Sequence, residues 1–266
     1  AYSQFTSIMF SINSSFIDNP SEVNMKQNTQ PFVLGSFGTG MTITCFTGYE
    51  SKFLDCKELP AYFKKQLVHQ MGTYIAGWLS IAGISSDHPV MQSRSPFSPT
   101  HFEKYDCWNR PDLAGCIHID SRVMTSAAYL PILFPRYPYD NITNALVKYQ
   151  SLDFARQHPI INFESIKGGE SRYKLAAVFT EAQSDPLHVN VVEPLVEETF
   201  TAQWQMLSEY SWYCAADVQY GDRLIVLCTC SYSHKNERTV VVARQMRAGE
   251  SETVSITKNP EAKSPW

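Results

Sequence analysis

A mainly β protein, built as one barrel or sandwich with short peripheral helices, is what three features of the sequence predict. Short apolar or alternating runs recur along the chain, punctuated by Gly, Pro, Asn and Ser, which is the pattern of strands and turns. Aromatic residues make up 13% of the chain, and Tyr, Phe and Trp suit half-buried pleated surfaces. Strand-like and helix-like stretches do not alternate regularly and no internal repeat is present, which argues against a doubly wound parallel sheet.

The 266 residues are enough to bury a sizeable core without staples. A net charge of −4 lacks the basic surface that phosphate contacts need, so nucleic acid is not an expected partner. Seven cysteines leave at least one unpaired within the chain, and their wide spacing is not that of a disulfide scaffold. No apolar run approaches the roughly 20 residues that cross a bilayer. The chain opens on Ala1, as a processed or trimmed product would.

Residues 1–57 form an N-terminal extension of helical and loop character, with a strand at Met41–Phe46. Within it Gly35–Gly40 (GSFGTG) has neither the GxGxxG spacing nor a following Lys-Ser/Thr, so it is a turn and not a phosphate cradle. Leu59, Phe63, Leu67 and Met71 recur every four residues, which predicts an amphipathic helix over Glu58–Met71. Ile75–Ile84 and His88–Gln92 are strands, and Ser93–Thr100 is loop. Ala114–Arg122 and Ala127–Phe134 are strands, Pro131 marking the second as an edge or a bulge. Asn144–Gln157 reads as short helices. Ile160–Ile166 and Arg172–Thr180 form a hairpin across Lys167-Gly168-Gly169-Glu170. Val192–Tyr210 has apolar residues at helical spacing.

Asp222–Arg244 (DRLIVLCTCSYSHKNERTVVVAR) is two strands joined by a polar loop. Cys230 closes the first strand and Arg238 opens the second. In an antiparallel hairpin they stand together at one end of the sheet, where a fixed cation would favour the reactive thiolate. Leu224, Val226, Cys228 and Cys230 alternate onto one face. A buried, inert thiol is the plainer reading of Cys230 taken alone. Cys228, Cys230 and His234 form a C-x-C-x₃-H cluster, but a structural zinc site needs a fourth ligand and no second pair is evident. No GxSxG elbow is present for a serine hydrolase.

The segment LCTCSYSHKNERTVVVAR resembles the signature of class B sortases, in which a TLSTC-like strand carries the nucleophile and an Arg precedes a VVVAR-like strand. Further resemblance lies in GWLSIAG (Gly77–Gly83) with HPVMQ, in AGCIHIDSR, in KYQSLDFARQHP (Lys148–Pro159), in Tyr173–Thr180 and in the PEAKSPW tail. It covers residues 58–266 in order. The resemblance implies a single sortase-type eight-stranded β-barrel. It implies a membrane-anchored, extracytoplasmic cysteine transpeptidase of the Gram-positive cell surface. Such an enzyme cleaves a sorting-signal peptide after Thr, holds it as a thioacyl intermediate and passes it to an amine acceptor such as a cell-wall precursor or pilin. No metal or other cofactor is implied, and any membrane contact would run through an anchor outside this chain.

By the same resemblance Cys230 would be the nucleophile, Arg238 would bind substrate and stabilise the oxyanion, and Cys228, Thr229 and Ser231 would contact substrate. One member departs from the family pattern. Where the family carries a catalytic His, this chain has Pro135, Arg136 and Tyr137 after Phe134. General acid–base catalysis contributes about 10²–10⁴ in rate, so a catalytically impaired pseudoenzyme that binds sorting peptides is the alternative reading. His118 and His234 are the candidates to replace the missing group. His69, His88, His101, His158 and His188 read as structural or surface residues, and Tyr137 is a poor base at neutral pH.

Overall fold

The chain divides into two units, Ala1–Asp55 and Cys56–Trp266. A computed structural model describes residues 9–11, 31–37, 41–46, 74–82, 88–113, 115–134, 146–182, 196–231 and 237–264, with backbone alone for 9–11, 31–37, 41–46, 230 and 231. In the first unit, β1 (Met9–Ser11), β2 (Pro31–Phe37) and β3 (Met41–Phe46) form an antiparallel sheet in the order β1-β3-β2. β3 is the strand expected at Met41–Phe46, and the helical and loop part of the extension, residues 12–30, lies outside the described residues. Phe, Val, Ile and Thr dominate β2 and β3, and such residues fit a pleated surface better than a helix. Phe37 pairs with Met41, so Gly35–Phe37 of the GSFGTG stretch belong to β2, and its last three residues lie outside the described residues. The helix expected over Glu58–Met71 lies outside the described residues.

In the second unit eight strands close a barrel. They are β4 (Ile75–Ile81), β5 (His88–Gln92), β6 (His118–Ile119), β7 (Tyr129–Leu133), β8 (Ile160–Ser165), β9 (Gly169–Ala182), β11 (Leu224–Ser231) and β12 (Glu237–Gln245). Their order around the barrel is β11-β12-β9-β8-β4-β5-β6-β7. The pairs β5/β6 and β7/β11 are parallel and the others antiparallel. A separate pair, β10 (Tyr213–Cys214) and β13 (Thr257–Lys258), ties the C-terminal segment to the chain just before β11. Among the described residues the helices used below are α1 (Leu152–Gln157) and α2 (Glu197–Tyr210).

The mainly β barrel with few short helices is the architecture expected from the sequence. The stretch Ala114–Arg122 narrows to the two residues of β6, because Asp120 starts a turn: its carboxylate accepts from the Arg122 N–H and its carbonyl from the Val123 N–H. Pro131 sits inside a barrel strand. On β7 the Ala128 carbonyl and the Phe134 N–H bond to β11. Alternation therefore turns the Pro131 nitrogen toward β6, where pairing stops at His118–Leu133, so no ladder bond is lost. The β8–β9 hairpin closes with Gly169 at φ 74°, a left-handed value that glycine takes without strain.

Two apolar layers result. The barrel interior holds Leu79, Ile81, Ile119, Ile132, Ile161, Leu175, Ile225, Leu227 and Val241, all buried. A second cluster covers the outer face of β7, β9, β11 and β12: Tyr129, Ala177, Phe179, Leu224, Val226, Cys228, Val240 and Val242, with Leu207 of α2 packed onto it. Phe200 and Trp204 line the same side of α2 at the spacing that predicts the helix.

Candidate active site

The backbone of β11 and β12 brings the sequence-predicted pair together: Cys230 is the cross-strand partner of Arg238. Directly opposed residues in an antiparallel pair have Cβ atoms about 5 Å apart and share a face. On the far side of β12 the row continues, and Arg238 is the partner of Glu181 at the end of β9. Cys230, Arg238 and Glu181 thus occupy one register row across three strands.

Alternation along β11 is as the sequence predicts up to Cys228. Leu224, Val226 and Cys228 enter the outer cluster, while Ile225 and Leu227 enter the barrel. Cys228 is buried in the outer cluster, and its Sγ lies 3.9 Å from Oε1 of Glu181, a thiol donating weakly to a carboxylate. Thr229 is buried on the inward side opposite Thr239, whose hydroxyl accepts from the Gln150 amide at 3.1 Å. Neither the Cys228 nor the Thr229 side chain is a solvent-facing groove wall, and Thr229 Oγ1 is buried without a hydrogen-bond partner. Ser231 pairs in register with Glu237.

Arg238 is half-buried, whereas Glu181 has no solvent exposure at all. Glu181 is the residue that sequence reasoning missed. Its signal was a carboxylate two positions beyond the last aromatic of the apolar run in β9, where alternation from Phe179 turns it to the outer face. Tyr129 of β7 belongs to the same buried group. Burial first, then the Glu181 carboxylate and Cys228, push its hydroxyl pKa well above the usual tyrosine range.

The histidines divide between those the structure anchors elsewhere and those outside the described residues. His118 is buried and opposite Leu133 on β7, which in turn pairs with Cys228. It is two strands from β11, roughly 10 Å at about 4.8 Å per strand, and in the row of Cys228, not of Cys230. Its Nδ1 bonds the Cys116 carbonyl at 2.9 Å, and burial lowers its pKa. His88 is buried opposite Leu79, with its pKa pushed down to about 3 by burial. His101 stacks on Tyr105 and contacts Asn109 Oδ1 at 2.6 Å, and His158 bonds the Ala82 carbonyl. Pro135, Arg136, Tyr137, His69, His188 and His234 lie outside the described residues. The chain reaches Pro135 from Phe134, whose N–H bonds the Cys228 carbonyl at 2.9 Å.

Among the described residues no group of three His, Cys, Asp or Glu side chains is arranged to hold a metal, and no helix is long and apolar enough to cross a membrane. A hollow of about 420 Å³ lined by Tyr74, Ser93, Arg94, Ser95, Ser98 and His101 lies where β4 begins and β5 ends.

A closed barrel whose β11–β12 hairpin carries a cysteine opposite an arginine has the fold of the class B sortases. The chain is similar to sortase B of Staphylococcus aureus, 24% identical over 174 residues that cover 64% of this chain and 69% of that protein. No protein-family model matches it. Among solved structures it resembles Clostridium perfringens sortase B, with a TM-score of 0.62 at 18% identity, over 69% of this chain and 100% of that one. The S. aureus sortase B–substrate complex gives a TM-score of 0.60 at 21% identity, over 70% of this chain and 85% of that one; sortase B has also been solved in complex with triglycine. A Streptococcus pyogenes class B sortase involved in pilus biogenesis gives a TM-score of 0.58 at 16% identity, over 69% of this chain and 97% of that one.

Proposed function

We propose that this chain is a sortase-like cysteine transpeptidase. The observation that carries the reading is the register pairing of Cys230 with Arg238 on neighbouring strands. The Cys230 thiolate attacks the carbonyl of a sorting peptide after Thr, and the carbonyl oxygen takes the negative charge of the tetrahedral intermediate. The Arg238 guanidinium stabilises that charge, an effect worth about 3 kcal/mol for a well-placed donor. Collapse breaks the C–N bond, the departing amine half of the peptide takes up a proton from solvent, and a thioacyl enzyme is left. An amine acceptor then attacks the thioester, forms the new amide, gives its proton to solvent and releases the Cys230 thiolate. The main chain around Cys228, Thr229 and Ser231 lines the substrate path, since the first two side chains are buried. Sorting peptides and an amine on a cell-wall precursor or pilin are the partners this chemistry calls for, and an extracytoplasmic, surface-anchored setting goes with them. Residues 1–57 stand before the barrel domain as an extension.

The test is turnover of fluorogenic sorting peptides with an added amine. Wild-type protein is expected to release the fluorophore and form the amine-linked product, and Cys230→Ala to do neither. Equal turnover by the two would overturn the assignment of the nucleophile. A second reading, a peptide-binding pseudoenzyme, is favoured by one observation: none of the described histidines stands in the Cys230–Arg238 row. Saturable binding of a sorting peptide by wild-type protein without turnover would decide for it.

A further inference from the structure

A cavity takes the ligand whose charge and hydrogen bonding complement its lining. The hollow of about 420 Å³ beside the start of β4 is lined by Tyr74, Ser93, Arg94, Ser95, Ser98 and His101, and is of the size that holds a small molecule. Among the described residues that lining has a guanidinium, three hydroxyls, a phenol and an imidazole, and no carboxylate. A guanidinium carries five N–H donors and no acceptor, and its planar fork matches the oxygens of a phosphate. The walls are held in place by the fold. The Ser95 carbonyl accepts from the Ser98 N–H at 3.1 Å and from Ser121 Oγ at 2.9 Å, and the Ser95 N–H donates to Ser93 Oγ at 3.2 Å. Gln92 Nε2 ties the root of this loop to the turn after β6, donating to the Asp120 and Val123 carbonyls at 3.0 and 2.6 Å. On that turn the Asp120 carboxylate is engaged by Arg122 at 2.6 Å. His101 stacks on Tyr105 with ring centres 4.0 Å apart, and its Nε2 donates to Asn109 Oδ1 at 2.6 Å. A lining ordered in this way loses little freedom when it binds.

We propose that this hollow is a binding site for a phosphate-type oxyanion, with Arg94 as the charged donor and the hydroxyls of Ser93, Ser95 and Ser98 completing the donor set. A tetrahedral phosphate presents several acceptor oxygens at once, so it engages a guanidinium and hydroxyls together. The assignment does not rest on the transpeptidase reading, and none of these residues belongs to the Cys230–Arg238 row. Two sources supply such a group: a soluble phosphate compound, or the headgroup of an anionic lipid. The lipid is a source to test because of two apolar side chains. Phe97, between the lining residues Ser95 and Ser98, is 93% exposed, and Met124, on the turn that Ser121 joins to this loop, is 70% exposed. Apolar side chains beside an anion site suit the boundary between headgroups and acyl chains.

The experiment titrates inorganic phosphate into the full chain by calorimetry, at constant ionic strength set with chloride so that screening alone gives no signal. Wild type is expected to bind phosphate saturably. Arg94 is exposed, so Arg94→Gln is expected to fold and to bind about tenfold more weakly, the loss of a charge-assisted donor. Arg94→Lys, which keeps the charge without the fork, should fall between the two. Ser98→Ala should weaken binding about threefold and keeps the test open if Arg94→Gln does not fold. Cys230→Ala should bind as wild type does. The source is read by co-sedimentation with vesicles of phosphatidylglycerol and phosphatidylcholine, against phosphatidylcholine alone. Pelleting of wild type with the anionic vesicles, lost in Arg94→Gln and in Phe97→Ser, upholds the site and assigns its anion to a lipid headgroup. Saturable phosphate binding without pelleting upholds it and assigns a soluble compound. The proposal is overturned if wild type neither binds phosphate saturably nor pellets with anionic vesicles. It is overturned equally if Arg94→Gln and Ser98→Ala both bind as tightly as wild type.

Discussion

At the scale of single residues, burial decides which titratable groups can take part in chemistry near neutral pH. His88 is 2% exposed and its pKa is pushed down to about 3 by desolvation, so it is neutral in the folded protein. In the unfolded chain it protonates near 6.5. The unfolded state therefore binds more protons between those values, and stability falls as pH drops from 6.5 toward 3, by up to about 1.4 kcal/mol per pH unit. Replacing His88 by Gln is expected to remove that slope. Urea unfolding at pH 7 and pH 4 should show a stability difference smaller by about 3 kcal/mol in the variant; an unchanged difference would mean that His88 is not buried neutral. Burial acts on His118 in the same direction, and its place is in the Cys228 row, not the Cys230 row. Cys230 and Arg238 were legible from sequence because a strand ending in Cys and a strand opening with Arg, joined by a short polar loop, leave few ways to pair. Glu181 was not legible, since it is far away along the chain and only the β9–β12 pairing brings it beside Arg238.

At the scale of elements, the barrel depends on close approach between strands, and Gly77 is one place where it is tight. A Cβ at Gly77 would collide with the Glu164 carbonyl oxygen and lie 2.8 Å from the Phe163 ring. Backbone cannot yield as a flexible side chain can, so β4 would have to part from β8. Gly77→Ala is expected to cost about 2 kcal/mol, measured as a lower urea midpoint with the m-value unchanged; a cost under about 0.5 kcal/mol would show that the strands can separate without loss. The same motif, GWLSIAG, was read from sequence as a strand, and the structure gives the glycine its physical reason. Helix α2 is another instance. Its apolar spacing predicted a helix, but not that Leu207 would join the buried cluster that holds Cys228.

At the scale of the whole molecule, an ionic network holds the segments after β10 and β12 against the barrel. Arg244 of β12 has no exposed surface and bonds Glu250 through two nitrogens, at 2.7 and 2.8 Å, and the Asp217 carbonyl at 2.8 Å. Lys174 of β9 donates to Glu250 at 2.9 Å, and Arg247 bonds Asp222 and Asp217. The hydrogen bond from Arg244 is the first cause that holds the Glu250 carboxyl well below the usual glutamate range. A depressed folded pKa gives stability that is present above the unfolded value, near 4.3, and is lost as pH falls below it. Replacing Glu250 by Gln leaves the buried guanidinium without its carboxylate and is expected to cost about 3 kcal/mol at pH 7. The gap from wild type should close as pH falls below about 4. Equal urea midpoints at pH 7 would show that the network contributes nothing net.

The sequence by itself determined the class of fold, the run of most strands, the hairpin and the Cys230–Arg238 pair. Those rest on local periodicity and turn chemistry, which act over a few residues and can be read in order. In the N-terminal extension it marked the strand Met41–Phe46 but not its partners Met9–Ser11 and Pro31–Phe37. Only the tertiary structure decided the strand order of the barrel, the inward turn of Thr229, the burial of Cys228 and the arrival of Glu181 beside Arg238. The physical reason is that strand pairing joins residues remote along the chain, and burial is a property of what the whole barrel lays over a position.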